Sequence, residues 1–334
     1  MSTSVTLPIG GQPQNLWPGI KEFAARGGFY NGLQPAVVGK VWYCNGNEEP
    51  ASDRQGPVGA DGNSGLSPLS PFATIERAFD FISSGDVIVL TGVFREQLVA
   101  PLNVYDITII GGANRPRQAT SGGVATGGGA TWMPPTSPVA TTPLLEIRAA
   151  GWSIFNIEMT PVNASAAVRL TRSASVDTTD ASHFTMANCL IGANGGTTSI
   201  GVEDNGGCSR VLLDNNRFEG LAGTAILSLN TAAAVPLGWV VSNNLFLRNT
   251  NAIAMSSTQG LFWNNVFNQA ANDANNKVNL VSVAGQGSLN MVLNNYFSDV
   301  AANITIAKGY KPGTTDIWRN WGTGAADAIV AVPV

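Results

Sequence analysis

The sequence predicts an all-β solenoid, in which short strands of successive coils stack on one another. A pair of asparagines recurs down the C-terminal half, and a repeat of about 20–50 residues is typical of stacked-repeat proteins. Each pair follows a short apolar run, and apolar positions alternate in a pattern rich in Val, Leu and Phe, which favours strands over helices. The copies read Asn215-Asn216-Arg217-Phe218, Asn243-Asn244-Leu245-Phe246, Asn264-Asn265-Val266-Phe267 and Asn294-Asn295-Tyr296-Phe297.

Asparagine suits the corners of a solenoid, because it tolerates left-handed backbone angles and hydrogen-bonds nearby backbone. Equivalent asparagines of stacked coils lie above one another, so their amides are expected to pair in a ladder. The phenylalanine that follows each pair is expected to stack in the core. Ligand binding is the alternative role for these asparagines, but corner geometry and a ladder account for them without a ligand. The expected ladder comprises Asn215, Asn216, Asn243, Asn244, Asn264, Asn265, Asn294 and Asn295.

The composition fits a long β-surface that is polar but carries little charge. Of the 334 residues, 44% are hydrophobic and only 12% are charged, with 38 glycines, whereas typical soluble proteins carry roughly 25% charged residues. Disorder requires low hydrophobicity and high net charge, so it is not expected. The net charge of -4 and the lack of a long basic run argue against nucleic acid as a partner. There is no apolar run of about 18 residues, so no membrane partner is expected.

The cysteines and the N-terminus bear on the compartment of the protein. Cys44, Cys189 and Cys208 are odd in number and form no CxxC pair, which argues against a disulfide framework and against zinc. No metal and no cofactor are therefore expected. The first 18 residues lack a basic start followed by an apolar segment, so no secretory signal is expected. We expect a protein made in a cytoplasm that leaves the cell, if it does, by a route such as lysis.

Residues 1–45 differ from the rest and are predicted to be an N-terminal arm for attachment. Aromatic side chains are spread through a segment too short to bury them alone, so contact with another subunit or a larger assembly is expected. The alternative is that the arm packs on its own solenoid. The candidate contact residues are Trp17, Phe23, Phe29 and Tyr30.

The solenoid itself is predicted to span residues 46–322. Phe72, Ile75, Ala78, Phe79 and Ile82 follow helical spacing, which predicts a short helix near 72–83. An open solenoid end exposes its core, and this helix is placed to cap it. Strands are predicted at 86–90, 94–99 and 104–110, a Gly-, Thr- and Pro-rich surface loop at 118–143, and a C-terminal tail at 323–334.

The entry segment carries a family resemblance. The run Ser70-Pro71-Phe72-Ala73-Thr74-Ile75, the helix, and then Gly85-Asp86-Val87-Ile88-Val89-Leu90 resembles the start of right-handed parallel β-helices of the pectin-lyase-like superfold. Residues 111–117 and 130–135 resemble uncharacterised phage and prophage β-helix proteins. The resemblance implies a right-handed parallel β-helix of the bacteriophage structural or tailspike-like type. The superfold hosts lyases, hydrolases, esterases, tailspikes and structural proteins, so fold alone implies no activity.

Catalysis in glycan-cleaving β-helices would need carboxylates that project from neighbouring coils, as in the paired acids of glycoside hydrolases. The residue sets of pectate lyases, polygalacturonases and pectin methylesterases are absent from the sequence. Acids near the first Asn pair are geometrically able to form a pair on adjacent strands. The lone histidine lies three residues after an aspartate, close enough to touch it in a turn. The candidate catalytic residues are Asp204, Asp214, Glu219, Asp180 and His183.

These observations favour a virion surface protein of a bacteriophage, without catalytic activity. We expect a homotrimer that docks on capsid or tail proteins through its arm, since closed symmetry buries exposed apolar faces. The alternatives are a tailspike-like depolymerase that acts on bacterial surface polysaccharide, and a glycan-binding adhesin without turnover. Sugar stacking on tryptophans such as Trp132, Trp152, Trp239 and Trp263 belongs to these alternatives, and core packing is the other explanation for them.

Overall fold

The computed structural model describes most of the chain between Gly39 and Gly322. The described residues are 39–47, 56–112, 129–173, 179–192, 199–228, 235–255, 258–268, 278–280, 290–298, 315–318 and 321–322. The arm residues Trp17, Phe23, Phe29 and Tyr30 and the tail 323–334 lie outside them.

The protein is a right-handed parallel β-helix, as the sequence predicts. Within the described residues, the strands form one sheet of 18 strands and one of 7. Strands pair in parallel with their equivalents in the next coil. The larger sheet wraps around two sides of the solenoid, here called side 2 and side 3, and the smaller sheet forms side 1.

The strands of each side recur in a fixed order along the chain. Two strands near the start, β1 (Val41–Asn47) and β2 (Val87–Arg95), run through side 2 and side 3 without interruption. Side 1 contains β3 (Leu98–Val99), β6 (Leu145–Ile147), β9 (Ala166–Thr171), β12 (Ile200–Asn205), β15 (Thr224–Ser228), β18 (Asn251–Met255) and β21 (Val278–Leu280).

The remaining strands alternate between the two sides of the larger sheet. Side 2 contains β4 (Thr108–Gly111), β7 (Ser153–Phe155), β10 (Thr185–Ala187), β13 (Leu212–Asp214), β16 (Val240–Ser242), β19 (Leu261–Trp263), β22 (Asn290–Leu293) and β24 (Thr315–Trp318). Side 3 contains β5 (Ala130–Met133), β8 (Ile157–Met159), β11 (Leu190–Gly192), β14 (Arg217–Glu219), β17 (Leu245–Leu247), β20 (Val266–Asn268), β23 (Tyr296–Ser298) and β25 (Trp321–Gly322).

One coil illustrates the path of the chain. Strand β13 on side 2 ends at Asn215, whose φ of 53° turns the backbone into side 3. Asn216 follows, then strand β14 on side 3 and strand β15 on side 1. The next coil repeats this path in register, so that Asp214 lies beside Ser242 and Glu219 beside Leu247.

The interior is filled by the middle residue of each short strand. Phe218, Phe246 and Phe267 are buried and stacked, with ring centroids 5.1 and 4.8 Å apart and nearly parallel planes. Stacked aromatic pairs stabilise beyond the burial of their area. Trp152 and Trp239 are also fully buried at the corner between side 1 and side 2. The core is therefore a set of columns that run along the solenoid axis.

The helix α1 (Ile75–Phe79) is shorter than the predicted segment near 72–83. Phe72 cannot join it, because its backbone N–H donates to Tyr43 and its carbonyl accepts from Asn45, which ties Phe72 to β1. Ile75 and Ala78 point into the core, with Phe72 and Ile82 beside them. Among the described residues, no helix is long and apolar enough to cross a membrane.

Two predicted boundaries differ from the structure. The sequence predicts an arm that extends to residue 45, but β1 pairs with β2 from Val41 onwards and belongs to the solenoid. The sequence predicts a surface loop that extends to residue 143, but β5, within that range, pairs with β2 and β8. A strand of four residues in a Gly- and Pro-rich stretch is too short to reveal its periodicity. The position of β5 is fixed by its pairing with β2 in the preceding coil and with β8 in the following coil.

Candidate functional site

The corner between side 2 and side 3 is built from asparagine. In six successive coils the corner residue is an asparagine with a left-handed φ between 53° and 57°. Asparagine reaches this region at lower cost than most residues, since its short polar side chain bonds locally. The corner residues are Asn156, Asn188, Asn215, Asn243, Asn264 and Asn294.

The second asparagine of each pair is buried and forms a ladder of side-chain amides. The Nδ2 group of Asn216 donates to Oδ1 of Asn244 at 3.1 Å, and Nδ2 of Asn244 donates to Oδ1 of Asn265 at 3.1 Å. Asn265 continues the ladder to Asn295 at 3.0 Å. The Oδ1 atom that accepts each of these side-chain bonds also accepts the backbone N–H of the same donor asparagine. At the other end, Cys189 takes the equivalent place and donates its backbone N–H to Asn216.

His183 occupies a different corner, between side 1 and side 2. Its φ is 63°, and its equivalents in neighbouring coils share the left-handed conformation. Its Nε2 atom lies 3.3 Å from the guanidinium of Arg210, the equivalent corner residue of the next coil. This histidine is therefore one member of a column of corner residues. The column comprises Asp106, Gly151, His183, Arg210, Gly238 and Gln259.

Asp180 does not pair with His183. Its Oδ1 atom accepts from the hydroxyl of Ser182 at 2.5 Å and from the Ser182 backbone N–H at 2.9 Å. Its Oδ2 atom lies 3.9 Å from Arg172. Ser182 in turn accepts from the backbone N–H of Ser209 in the next coil. Asp180 thus orders the turn that precedes the His183 corner.

Asp204 lies inside the solenoid, only 4% exposed. Its carboxylate accepts from the backbone N–H groups of Gly207 and Cys208 and from the hydroxyl of Ser228. Burial raises the pKa of Asp204, and these hydrogen bonds lower it to a smaller extent. The carboxylate closes the turn after β12 and ties it to β15, out of reach of a substrate.

Asp214 and Glu219 lie on opposite sides of the Asn215 corner. Oδ1 of Asp214 accepts from Ser242 and from Asn243, both at 2.7 Å. Glu219 accepts from Arg217 at 2.6 Å and also from Arg248. Each acid therefore joins its coil to the next through its own contacts. The structure does not bring the five candidate residues into one site.

A charged row on the outer face of side 1 is not evident from the sequence alone. Glu146, Arg169 and Glu203 occupy equivalent positions on β6, β9 and β12. Arg169 donates to Glu203 at 2.7 Å, while Glu146 accepts from Arg148 at 2.9 Å and from Thr171 at 3.1 Å. The residues lie far apart in sequence, so only the register reveals the alternation of charge.

A half-buried carboxyl group, that of Glu96, also lies beside α1. Both oxygens of Glu96 accept backbone N–H groups at the helix start, from Ile75 and Glu76, each at 2.9 Å. Burial raises the pKa of Glu96 to about 7, while the two backbone donors act in the opposite direction. Helix N-termini favour a carboxylate, so Glu96 has a structural role as a cap.

The three cysteine thiols are buried and free. Burial raises the pKa of Cys189 to about 12 and raises those of Cys44 and Cys208 as well. The thiolate is the reactive form of cysteine, so these side chains are inert packing groups. Among the described residues, no cluster of three or more His, Cys, Asp or Glu side chains is arranged to hold a metal ion.

The aromatic residues considered for sugar stacking divide into two groups. Trp132, Trp152 and Trp239 are fully buried, and each donates its indole N–H to a backbone carbonyl. They are core residues. Trp263 differs, because it is 42% exposed on the outer face of side 2.

Trp263 belongs to an apolar surface that covers both sides of the asparagine corner, here called the corner strip. Met291 and Tyr296 on the same strip are 46% and 37% exposed. The apolar outward residues of side 2 are Leu212, Val240, Leu261, Trp263, Met291 and Leu293, and those of side 3 are Leu245, Leu247, Val266 and Tyr296. Contiguous exposed apolar surface of this kind marks interaction sites.

The outer face of side 2 is covered further towards the N-terminus. Tyr43, Val89, Ile110, Phe155 and Ala187 continue the same column and are each less than 10% exposed, packed in a second hydrophobic cluster. The strip is thus the uncovered continuation of a face that is buried in the first coils.

Solved structures resemble this chain in fold. A rhamnogalacturonan lyase matches with a TM-score of 0.50 and 11% identity over 85% of this chain and 74% of the lyase. The Escherichia coli protein YbhC matches with a TM-score of 0.50 and 13% identity over 91% of this chain and 94% of that protein. The fold is that of the pectin-lyase-like parallel β-helices. Identities this low show the fold alone.

A rice weevil pectin methyl esterase matches with a TM-score of 0.49 and 10% identity, over 82% of this chain and 93% of the esterase. No protein-family model and no curated protein matches the sequence.

Proposed function

We propose that this protein is a structural component of a bacteriophage virion, exposed at the particle surface and without catalytic activity. It decorates the capsid or forms a tail-associated spike or fibre. In this proposal residues 1–38 attach it to other virion proteins, and three chains associate into a homotrimer.

The observation that carries the proposal is the engagement of the candidate acids in structural contacts. Asp204 is enclosed in the core, Asp180 orders a turn, and Glu219 bridges two arginines. A glycosidase needs two carboxyl groups that face one bond, about 5–9.5 Å apart. These acids face different sides of the solenoid, so they suit a scaffold better than an active site.

The virion context is supported by the sequence. Residues 111–117 and 130–135 resemble segments of phage and prophage β-helix proteins. The low charged fraction of 12% and the exposed corner strip fit a chain that works in an assembly.

The test is the location of the protein in infected or induced cultures. Particles are purified by density gradient, labelled with antibody and gold, and analysed by mass spectrometry. We expect the protein in the particles at stoichiometric amounts, with label on heads or on tails. Its presence in the lysate but not in purified particles would contradict the proposal.

A second candidate function is a polysaccharide depolymerase, or a glycan-binding adhesin, and the charged row favours it. Glu146 and Glu203 lie two strands apart, and a strand spacing of about 4.8 Å separates their backbones by roughly 9.6 Å. This backbone spacing leaves room for two carboxyl groups about 6.5–9.5 Å apart, which is their separation in inverting glycosidases. Arg169 lies between them and holds Glu203 in an ion pair.

Host surface polysaccharide incubated with the protein tests this candidate. A depolymerase would release new chain ends, and Glu203→Gln would abolish the release while Glu219→Gln, outside the row, would not. An adhesin would retain the polysaccharide without cleaving it. If the polysaccharide is neither cleaved nor bound, this second candidate is ruled out and the structural function remains.

A further inference from the structure

We propose that the N-terminal segment, residues 1–38, folds back on its own chain and covers the outer face of side 2 in the first coils. Its aromatic side chains lie on the second hydrophobic cluster. This goes beyond the proposed function, which uses residues 1–38 for attachment. Here the part from Trp17 onwards is bound to the solenoid, and the residues before Trp17 remain for attachment. The cluster comprises Tyr43, Val89, Ile110, Phe155 and Ala187.

The outward side chains of the first coils are more buried than those further along the same face. Tyr43 and Phe155 are each 7% exposed, although they stand between residues that point into the core. Trp263 belongs to the same column, three coils beyond Ala187, and is 42% exposed. A parallel sheet that is buried on both faces has another layer packed against each face. A second layer therefore covers this face in the first coils and does not extend to Trp263.

The sequence favours residues 1–38 as this second layer. Among the described residues, the hydrophobic side chains packed against the cluster are Val41 and Val87, which stand on the same face of the same sheet. Residues 48–55 and 113–128 also adjoin the first coils, but neither range contains an aromatic residue and both carry charges. Residues 1–38 contain four aromatic residues and only three charged ones. Aromatic side chains bury a large apolar area, so this segment suits an apolar face.

The end of the segment lies beside the cluster. The backbone N–H of Gly39 donates to the carbonyl of Gly85 at 3.0 Å, and that of Lys40 donates to Oδ1 of Asp86 at 2.6 Å. These bonds fix the chain at the foot of β1, four residues before Tyr43.

The segment is also long enough to cover the whole cluster. The cluster extends over five paired strands, β1, β2, β4, β7 and β10. At a strand spacing of about 4.8 Å, this is a length of about 19 Å, which about six extended residues can span.

The first experiment uses trypsin to measure whether the segment is packed in the full chain. Lys21 and Arg26 are the cleavage sites within residues 1–38. Proteolysis of a segment that opens and closes rapidly follows the population of the open form. We expect cleavage at both sites to be at least about tenfold slower in the full chain than in a synthetic peptide of residues 1–38. Mass spectrometry of the released peptides separates these cuts from cuts elsewhere.

Two matched variants of the full chain then locate the contact. Ala187→Arg places a charge beneath the segment, where its burial is costly, so cleavage at Lys21 and Arg26 should approach the rate of the peptide. Val240→Arg is the control, because Val240 is a half-buried outward residue of side 2 two coils beyond β10. It should leave cleavage as slow as in the native protein. Circular dichroism checks that both variants are folded.

The second experiment identifies the chain that the segment touches. The photoreactive amino acid benzoylphenylalanine is incorporated in place of Phe29, and the full-length protein is irradiated in dilute solution. We expect a cross-linked product of one chain mass on a denaturing gel. Peptide mapping should place the cross-link on the strands of the cluster, from β1 to β10.

Several outcomes would overturn the proposal. One is native cleavage as fast as that of the peptide, and another is an Ala187→Arg variant as resistant as the native protein. A Val240→Arg variant as sensitive as Ala187→Arg would show that the cluster is not the contact. Cross-links between chains would show that another copy covers the face. None of these results depends on whether the protein is found in virions, so the two proposals fail separately.

Discussion

At the scale of single residues, the repeated asparagine pair has two separate tasks. The first residue holds a left-handed corner, and the second satisfies buried backbone groups of two coils. A buried polar group without a partner is costly, so the second residue is the more constrained. The difference is visible in exposure, because Asn243 is exposed while Asn244 is 1% exposed.

Replacement of Asn244 by alanine should destabilise the protein by about 3 kcal/mol. The backbone N–H and side-chain amide of Asn216 lose their acceptor, and the carbonyl of Leu213 loses its donor. Denaturant unfolding measures the change.

The matched control is Asn243→Gly at the preceding corner. Glycine adopts the φ of 57° without strain, so a loss below about 1 kcal/mol is expected. Equal losses for the two variants would show that the ladder is not the source of the stability.

Substitution of His183 tests whether its backbone or its imidazole matters. The φ of 63° penalises β-branched residues, so His183→Val should cost about 1–2 kcal/mol, whereas His183→Asn should be close to neutral. Thermal unfolding of both variants checks this. If His183→Asn were as damaging as His183→Val, the imidazole would have a role of its own.

At the scale of the elements, strands of three residues are stabilised by side chains that stack from one coil to the next. No strand of this length is stable alone, and each depends on its neighbours above and below. The stacked phenylalanines show the principle, since Phe246 contacts Phe218 on one side and Phe267 on the other.

Phe246→Ala should cost about 3–5 kcal/mol, because it removes two ring contacts and leaves a cavity in the middle of the stack. Phe246→Leu retains most of the volume and should cost about 1 kcal/mol. Chemical denaturation of both variants gives the comparison. A similar cost for both would point to the loss of ring stacking and not to the cavity.

The cap of α1 predicts a pH dependence of stability. The pKa of Glu96 is raised from 4.5 to about 7 in the folded protein, so the folded state binds this proton more tightly than the unfolded state. The contribution is complete below about pH 4.5 and is lost as the pH rises towards 7, by about 3 kcal/mol.

Glu96→Gln should remove this pH dependence. Denaturation midpoints of the native protein and the variant are compared at about pH 3 and about pH 8, which bracket the two pKa values. They should converge at the lower pH and diverge at the higher one, where the variant is more stable. A constant difference between the two proteins would contradict the raised pKa.

At the scale of the whole molecule, one outer face differs between the two ends. In the first coils it consists of the buried residues of the second hydrophobic cluster, and in the later coils it is exposed as the corner strip. Exposed apolar surface of this kind marks an interaction site.

The proposed homotrimer should make the melting temperature depend on protein concentration. Binding between folded chains stabilises them by mass action, so the melting temperature should rise with concentration. Scanning calorimetry over a wide range of concentration measures the rise, and a melting temperature that does not change with concentration would contradict the proposed association.

The sequence by itself determined the coils. The Asn-Asn-x-Phe repeat places its own corners and core, because the left-handed backbone and the inward ring are local properties of those residues. The sequence did not reveal β5, because that strand is only four residues long. It also placed the end of the arm at residue 45, which lies within β1.

The tertiary structure alone decided which side chains meet. Glu146, Arg169 and Glu203 form a row only because the register of three distant strands aligns them. Asp180 and His183 are three residues apart in sequence. In the folded turn, however, Asp180 accepts a hydrogen bond from Ser182, and His183 contacts Arg210 of the next coil. Contacts between coils depend on register and on which side each strand occupies, and neither is encoded in the spacing of a few residues.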